Sequence, residues 1–447
     1  MPTSLTPSAA ATLLGKLVRS NQRFTTAYPG DRIARQPLHT VYGGAQLFKA
    51  TTPSKLGKLA LAHLREYAPD ARALALAVGL EGGIDLAEAV YSRVIAKLER
   101  EPVEDFRIDF EDGFGIRSDA EEDAEAERTA REVAFGMRAA SLPAFLGIRV
   151  KSLSEQQKHR AVRTLDLFLT TLLEASSGTL PQGFVVTLPK VVSVAQVKTL
   201  VRVLEQLEQV NALAAGTLKL ELMTEVGQAL FDHRGRSLLP LLARAAKGRC
   251  VAVHFGTYDY TASLGIAAPA QHMTHPSCEF AKQLMLVAFS GSGVRLSDGA
   301  TNILPTPPHR GDSLTPEELA ENRRVVHGAW RVHYANVRHS LAGGFYQGWD
   351  LHPGQLPIRY AASFAFFLEG LELSTERLKH FVGEAARASL VGNVFDDAAT
   401  GQGLLNYFLR AYAAGAIDAA DLARTGLTED ELGARSFLAI LQARNKV

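Results

Sequence analysis

The stretch Phe106-Arg107-Ile108-Asp109-Phe110-Glu111-Asp112-Gly113 decides the fold. A short β-rich run, Phe106–Phe110, ends in an acidic turn closed by a glycine. Ser118 and Glu121 then have the capping-box spacing ahead of an acidic, Ala-rich helix that ends near Ala140. A strand followed at once by a helix is a βα unit, and the same rhythm recurs on both sides. The expected strands are Leu38–Tyr42, Phe106–Phe110, Ala144–Val150, Gly183–Leu188, Leu218–Met223, Cys250–Phe255, Gly293–Leu296 and Phe345–Leu351.

Helical patterns fill the intervals. Ser193 opens a segment in which Val197, Leu200, Val201, Leu204 and Leu207 recur at helical spacing. The long first crossover, Gly43–Asp105, is expected to hold two helices, Lys55–Tyr67 and Asp85–Arg100. Eight strands with intervening helices fit an α/β chain folded as a (β/α)8 TIM barrel; a doubly wound open sheet is the rival, and periodicity alone does not separate them. After about Arg359 strand signals stop and helices are expected over Tyr360–Leu371, Ser374–Leu390, Gly401–Ala414, Asp418–Arg424 and Glu429–Arg444. The expected division is an N-terminal arm (1–36), a barrel (37–360) and a C-terminal helical extension (361–447) that caps a barrel mouth or serves assembly.

Composition narrows the class. The 447 residues carry 48 Lys+Arg against 47 Asp+Glu, a formal charge of +1, so no basic face argues for nucleic acid. Hydrophobic residues at 47% support a large core and exclude wholesale disorder. Cys250 and Cys278 alone cannot build a disulfide framework or a cysteine zinc site. No apolar run nears the ~18 residues of a membrane span, and no charged-then-apolar signal opens the chain. A cytoplasmic protein without membrane or nucleic-acid partners is the expectation.

In a barrel, chemistry gathers at the C-terminal ends of strands. Asp109, Glu111 and Asp112 put three carboxylates within four residues, which repel unless a cation or proton lies among them. An acid/base site or a metal shell needs that arrangement; a solvated acidic turn is the plainer reading. Glu225 and Asp259 each follow a strand, a placement suited to a divalent ion held by a few oxygens, though either acid could simply cap a helix. Arg149 ends an apolar run, where a guanidinium must bind an anion or sit in a structural ion pair. Lys190, after Leu188-Pro189, invites the same pair of readings. Ser290-Gly291-Ser292-Gly293 lacks the Lys-Ser/Thr of a phosphate loop, the thirteen His contain no HExxH, and His352-Pro353 reads as a turn or a ligand.

Taken in order, these pieces resemble the HpcH/HpaI aldolase and citrate lyase beta-subunit-like superfamily, a divergent phosphoenolpyruvate/pyruvate-type barrel. The motifs are Ile108-Asp109-Phe110-Glu111-Asp112-Gly113, Ile148-Arg149-Val150, Leu188-Pro189-Lys190, Met223-Thr224-Glu225 and Gly256-Thr257-Tyr258-Asp259 followed by Ser263-Leu264-Gly265. Ala281–Asp298 and the passage from Gly344 to Gln355 resemble the family's closing segments, so the likeness spans roughly Leu38–Tyr360. The Gly-x-x-Asp-Tyr form looks closer to malate synthase, and the opening His39-Thr40-Val41-Tyr42-Gly43-Gly44 lacks the family's usual Arg-Ser.

The resemblance implies Mg2+ or Mn2+ on Glu225 and Asp259, and the substrate carboxylate on Arg149 with Lys190 and Gly256 beside it. It implies acid/base or metal-water contacts from Asp109, Glu111 and Asp112. The expected activity is metal-dependent carbon–carbon cleavage or aldol addition on a small-molecule 2-oxo acid through a stabilised enolate, in a homo-oligomer. Arg149 is then expected to be free of a bidentate acid partner. Alternatives are an acyl-CoA lyase or malate-synthase-like enzyme using a CoA thioester, a phosphoenolpyruvate-utilising phosphotransfer enzyme, and a non-catalytic barrel used for binding or assembly.

Overall fold

The computed structural model describes residues 4–30, 35–311, 313–383, 389–391, 394–396, 398–434 and 436–444. Eight strands form one parallel sheet: β1 (His39–Gly44), β2 (Asp105–Asp109), β3 (Phe145–Arg149), β4 (Val185–Leu188), β5 (Lys219–Thr224), β6 (Cys250–Phe255), β7 (Arg295–Ser297) and β8 (Gly348–Asp350). Their order is β7-β6-β5-β4-β3-β2-β1-β8, every neighbouring pair parallel. The two ends meet: the Asp298 amide donates to the Gln347 carbonyl at 2.8 Å, and the Trp349 amide to the Gly299 carbonyl at 3.1 Å. The fold is therefore a (β/α)8 barrel, and the open-sheet alternative is excluded.

Alternation along β2 shows what the barrel encloses. Phe106 and Phe110 face outward, against Phe48 and Phe168. Asp105, Arg107 and Asp109 consequently face the interior, and all three are buried. Arg107 donates to Glu221 of β5 from Nε (2.9 Å) and Nη2 (2.7 Å), and to Asp105 from Nη1 (2.5 Å). His254 of β6 lies 3.3 Å from Glu221 and accepts from Trp349 Nε1 of β8 at 3.0 Å. Burial works against ionisation of Glu221, yet Arg107 and His254 hold its carboxyl below the ordinary range. Charge pairing thus replaces the branched aliphatic layers usual inside such barrels.

Helices cover the outside. The expected Ser118–Glu121 capping box is present and opens Asp119–Arg138. Ser118→Ala should lower stability by about 1 kcal/mol in chemical denaturation, because the cap bond to the Glu121 amide is lost. Several helices were not singled out in the sequence, Lys158–Ala175 and Pro276–Phe289 among them. Ala71–Val78, capped by Asp70, adds a third to the first crossover, and the 27-residue Pro316–Ala342 has its own capping box from Thr315 and Glu318.

The chain's later part differs from expectation. Helix Leu356–Glu369 runs across residue 360, and Arg359 within it pairs with Asp350 of β8 at 2.9 Å. It packs against Ile84–Arg100 and Pro316–Ala342, in the position of the barrel's eighth helix. The helix expected over Ser374–Leu390 is described over Leu371–Gly383; residues 384–388 lie outside the described ones, and Leu390 falls in a strand, Ser389–Val391, that pairs antiparallel with Val394–Asp396. From helix Ala398–Ala413, Arg410 donates to Gln36 at 2.7 Å, at the barrel's N-terminal end and away from the strands' C-terminal mouth. Among the described residues no helix is long and apolar enough to cross a membrane.

Candidate active site

The parallel register sets Asp109 directly beside Arg149 at the ends of β2 and β3. Arg149 Nε donates to Asp109 Oδ1 at 2.7 Å and Nη2 to Oδ2 at 2.5 Å, with the pair only 5% and 1% exposed. This corrects the expectation of an arginine without a bidentate partner. A guanidinium buried at a strand end next to a carboxylate pairs with it, because either charge alone would be desolvated without compensation. Asp109 also accepts from the amides of Glu111 (3.0 Å) and Gly113 (2.7 Å), so both its oxygens are engaged in shaping the turn. A Cβ at Gly113 would stand 2.6 Å from Asp109 Oδ2, which explains the glycine.

The rest of Arg149 still looks toward the mouth. Its Nη1 lies 3.0 Å from Glu111 Oε2 and 3.5 Å from Asp112 Oδ2, and its guanidinium stacks 4.9 Å from the Tyr42 ring centroid. Glu111 and Asp112 turn their other oxygens to Lys190, whose ammonium is 2.5 Å and 3.0 Å away; Asp259 is 3.8 Å from the same nitrogen. Burial raises the Glu111 carboxyl, reinforced by Asp112 and opposed by Arg149 and Lys190. At Asp112 burial pushes the same way, but Arg149 and Lys190 prevail and bring it below its ordinary value.

Lys190 is held in the left-handed region, φ +50°, a conformation costly for a residue with a Cβ. In that geometry its backbone amide donates to Glu225 Oε1 at 2.5 Å. Glu225 is 1% exposed, and a Cβ at Gly256 would meet its Oε2 at 2.6 Å, so glycine is the residue that fits beside it. Burial first, then Asp259 and Glu111, push the Glu225 carboxyl up to about 8 against the pull of Arg149. Burial also raises Asp259, which sits in the first turn of Thr257–Ser263 with its side chain 43% exposed.

The structure thus brings Glu111, Asp112, Arg149, Lys190, Glu225, Gly256 and Asp259 to one barrel mouth, with Asp109 turned to Arg149 beneath them. Burial comes first at both Glu225 and Asp259; the Asp259 charge adds to the rise at Glu225, and the Asp112 charge to the rise at Asp259. Hard carboxylate oxygens, one fully buried beside open backbone at Gly256, suit a magnesium-type ion completed by water and substrate oxygens. Among the described residues no group of three or more His, Cys, Asp or Glu forms a metal cage.

Other sequence signals resolve simply. His352 Nδ1 accepts from the Gly354 amide at 3.0 Å and is a turn element. Ser290–Gly293 lies before β7, at the end of the barrel remote from the mouth, and Cys250 and Cys278 are buried thiols. The interior charges Asp105, Arg107, Glu221 and His254 were missed. A signal existed: Asp105-x-Arg107-x-Asp109 has the two-residue period of one strand face.

Fold and mouth together define a (β/α)8 barrel with a buried carboxylate among paired acidic and basic side chains at its C-terminal rim. The chain belongs to the family described as a domain of unknown function, DUF6986, whose model matches residues 17–440. No curated protein matches it in sequence. It is similar in structure to a citrate lyase from Burkholderia xenovorans LB400, at 19% identity and a TM-score of 0.52, over 75% of this chain and 91% of that one. Weaker likenesses are to CitE from Mycobacterium tuberculosis in complex with magnesium and acetate (16% identity, TM-score 0.39, 74% and 91% covered) and to Haloferax volcanii malate synthase (16%, 0.44, 88% and 99%). At these identities the likeness to the citrate lyase establishes the fold.

Proposed function

We propose that this protein is a divalent-metal-dependent carbon–carbon lyase or aldolase acting on a 2-oxo acid. One observation carries the reading: Glu225, buried at the end of β5 with its carboxyl pushed up to about 8, faces Asp259 and Glu111 without an ion pair of its own among the described residues. Such a carboxylate calls for a cation. Glu225 and Asp259 are the residues that would hold Mg2+ or Mn2+, and when bound such an ion supplies positive charge to a developing enolate oxygen.

The chain's own groups then divide the remaining work. Arg149 fixes Asp109 and offers Nη1 on the mouth side, where a substrate carboxylate would compete with Glu111 and Asp112 for it. Lys190 places Glu225 through its backbone and the strand-two acids through its ammonium. Glu111, raised by burial, is suited to hold a proton and return it, its Oε1 being occupied by the Lys190 ammonium, whereas Asp112 is held ionised by its cations. Asp109, with both oxygens engaged, is left a positioning role.

The test is a turnover screen of 2-oxo acids and hydroxy-oxo acids, with aldehydes or acyl-CoA thioesters as partners. Cleavage or condensation of a 2-oxo acid is expected, abolished by a chelator and restored by Mg2+ or Mn2+. Strict dependence on CoA would move the reading to a thioester lyase or malate-synthase-like enzyme. Turnover indifferent to chelation would sink the metal.

A further inference from the structure

A cleft of about 420 Å³ opens from the mouth on the side of the β2 turn. Glu111, Asp112 and Lys190 form its inner wall, so it is continuous with the proposed reaction centre. Its outer wall is made of Gly115, Ile116, Arg117, Lys151 and Gln157, with the last three supplying its polar groups. Arg117 and Lys151 are drawn to one ring, with the Arg117 guanidinium 4.9 Å and the Lys151 ammonium 5.3 Å from the Phe114 centroid. Lys151 already has Glu122 as its counter-charge, whereas Arg117 is exposed to the cleft and to solvent, where its guanidinium can meet an anion from outside.

The commitments of these groups differ. Lys151 is anchored by the Phe110 carbonyl at 2.6 Å and Glu122 at 2.9 Å. Arg117 uses Nε on the Phe114 carbonyl at 3.1 Å and makes no ion pair among the described residues. Glu121, whose charge it feels, is committed to the Ser118 cap. Gln157 accepts from Ser152 through Oε1 at 2.7 Å, while its Nε2 has no hydrogen-bond partner among the described residues. The acids of the inner wall are held by Lys190 and Arg149. What the outer wall offers is therefore a guanidinium fork, an anchored ammonium and an amide N–H: donors for an anion.

We propose that this cleft receives the far end of the substrate, and that the 2-oxo acid therefore carries a second anionic group, a carboxylate or a phosphate-like head. The inference rests on the 2-oxo acid reading given above. It places the reacting end at Glu225 and Asp259 and the second anion at Arg117, with Lys151 and Gln157 beside it. Arg117 is then the residue that separates doubly anionic substrates from singly anionic ones.

Calorimetric titration of the full chain with Mg2+ tests it with three ligands: 2-oxopentanoate, 2-oxoglutarate, and a 2-oxo acid of the same length ending in a phosphonate. At least one charged-end ligand should bind about tenfold or more tighter than 2-oxopentanoate, as a charge-assisted bidentate contact provides. Which of the two gains assigns the head group. Arg117→Gln should collapse that ratio toward one, and Arg117→Lys should recover part of it, since the charge returns without the planar fork. A ratio near one in the wild-type chain, or one unmoved by Arg117→Gln, overturns the distal site and leaves the 2-oxo acid reading standing. No binding of any of the three overturns both.

Discussion

Arg149→Met is expected to lower stability by about 3–5 kcal/mol, the cost of leaving a buried charge without its partner. The side chain is fully enclosed, and Asp109, 1% exposed, keeps only two backbone amides once the guanidinium is gone. The stacking on Tyr42 is lost as well. Chemical denaturation should show a lower midpoint with an unchanged slope. Removing both partners, Arg149→Met with Asp109→Leu, should recover much of the loss, because the uncompensated charge is then absent. A single variant as stable as the wild type would show that Asp109 does not depend on Arg149, and the β2 turn would need another account.

Glu225→Gln separates the site from the scaffold in the opposite way. The amide is nearly isosteric, and its Oε1 can still accept from the Lys190 backbone, so the turn at φ +50° keeps its support. What disappears is a carboxylate that burial and two acidic neighbours already disfavour. Affinity for Mg2+ or Mn2+ should fall by at least about a hundredfold, roughly 2.8 kcal/mol, and turnover with it. In chelator the variant should melt no lower than the wild type, since the amide replaces a buried carboxyl that makes no stabilising ion pair among the described residues. Reduced melting temperature with unaltered ion affinity would make Glu225 a structural acid.

These two residues show where reading the sequence succeeds and where it stops. Glu225 and Asp259 were legible because an acid directly after an apolar strand is a local pattern, and the barrel places every strand end on one rim. Arg149 was legible as a residue that needs an anion. Which anion it meets was not, since Asp109 lies forty residues earlier and only the β2–β3 register sets them side by side. Lys190 was marked for its ammonium alone, yet its backbone amide orients Glu225, a consequence of one dihedral angle.

The sequence by itself determined the eight strands to within a few residues, the capped helix after the acidic turn, and the set of charged residues at the strand ends. Those features follow from local propensity, hydrophobic period and capping chemistry, which act over a few residues. Only the tertiary structure decided that the sheet closes through Asp298–Gln347 and Gly299–Trp349, and that Leu356–Glu369 serves as the eighth helix. It also decided that Asp105, Arg107, Glu221 and His254 fill the interior as paired charges, and that Asp109 belongs to Arg149. Each of these depends on contacts between distant strands, where burial turns a charge from a soluble surface group into one that must find its counterpart.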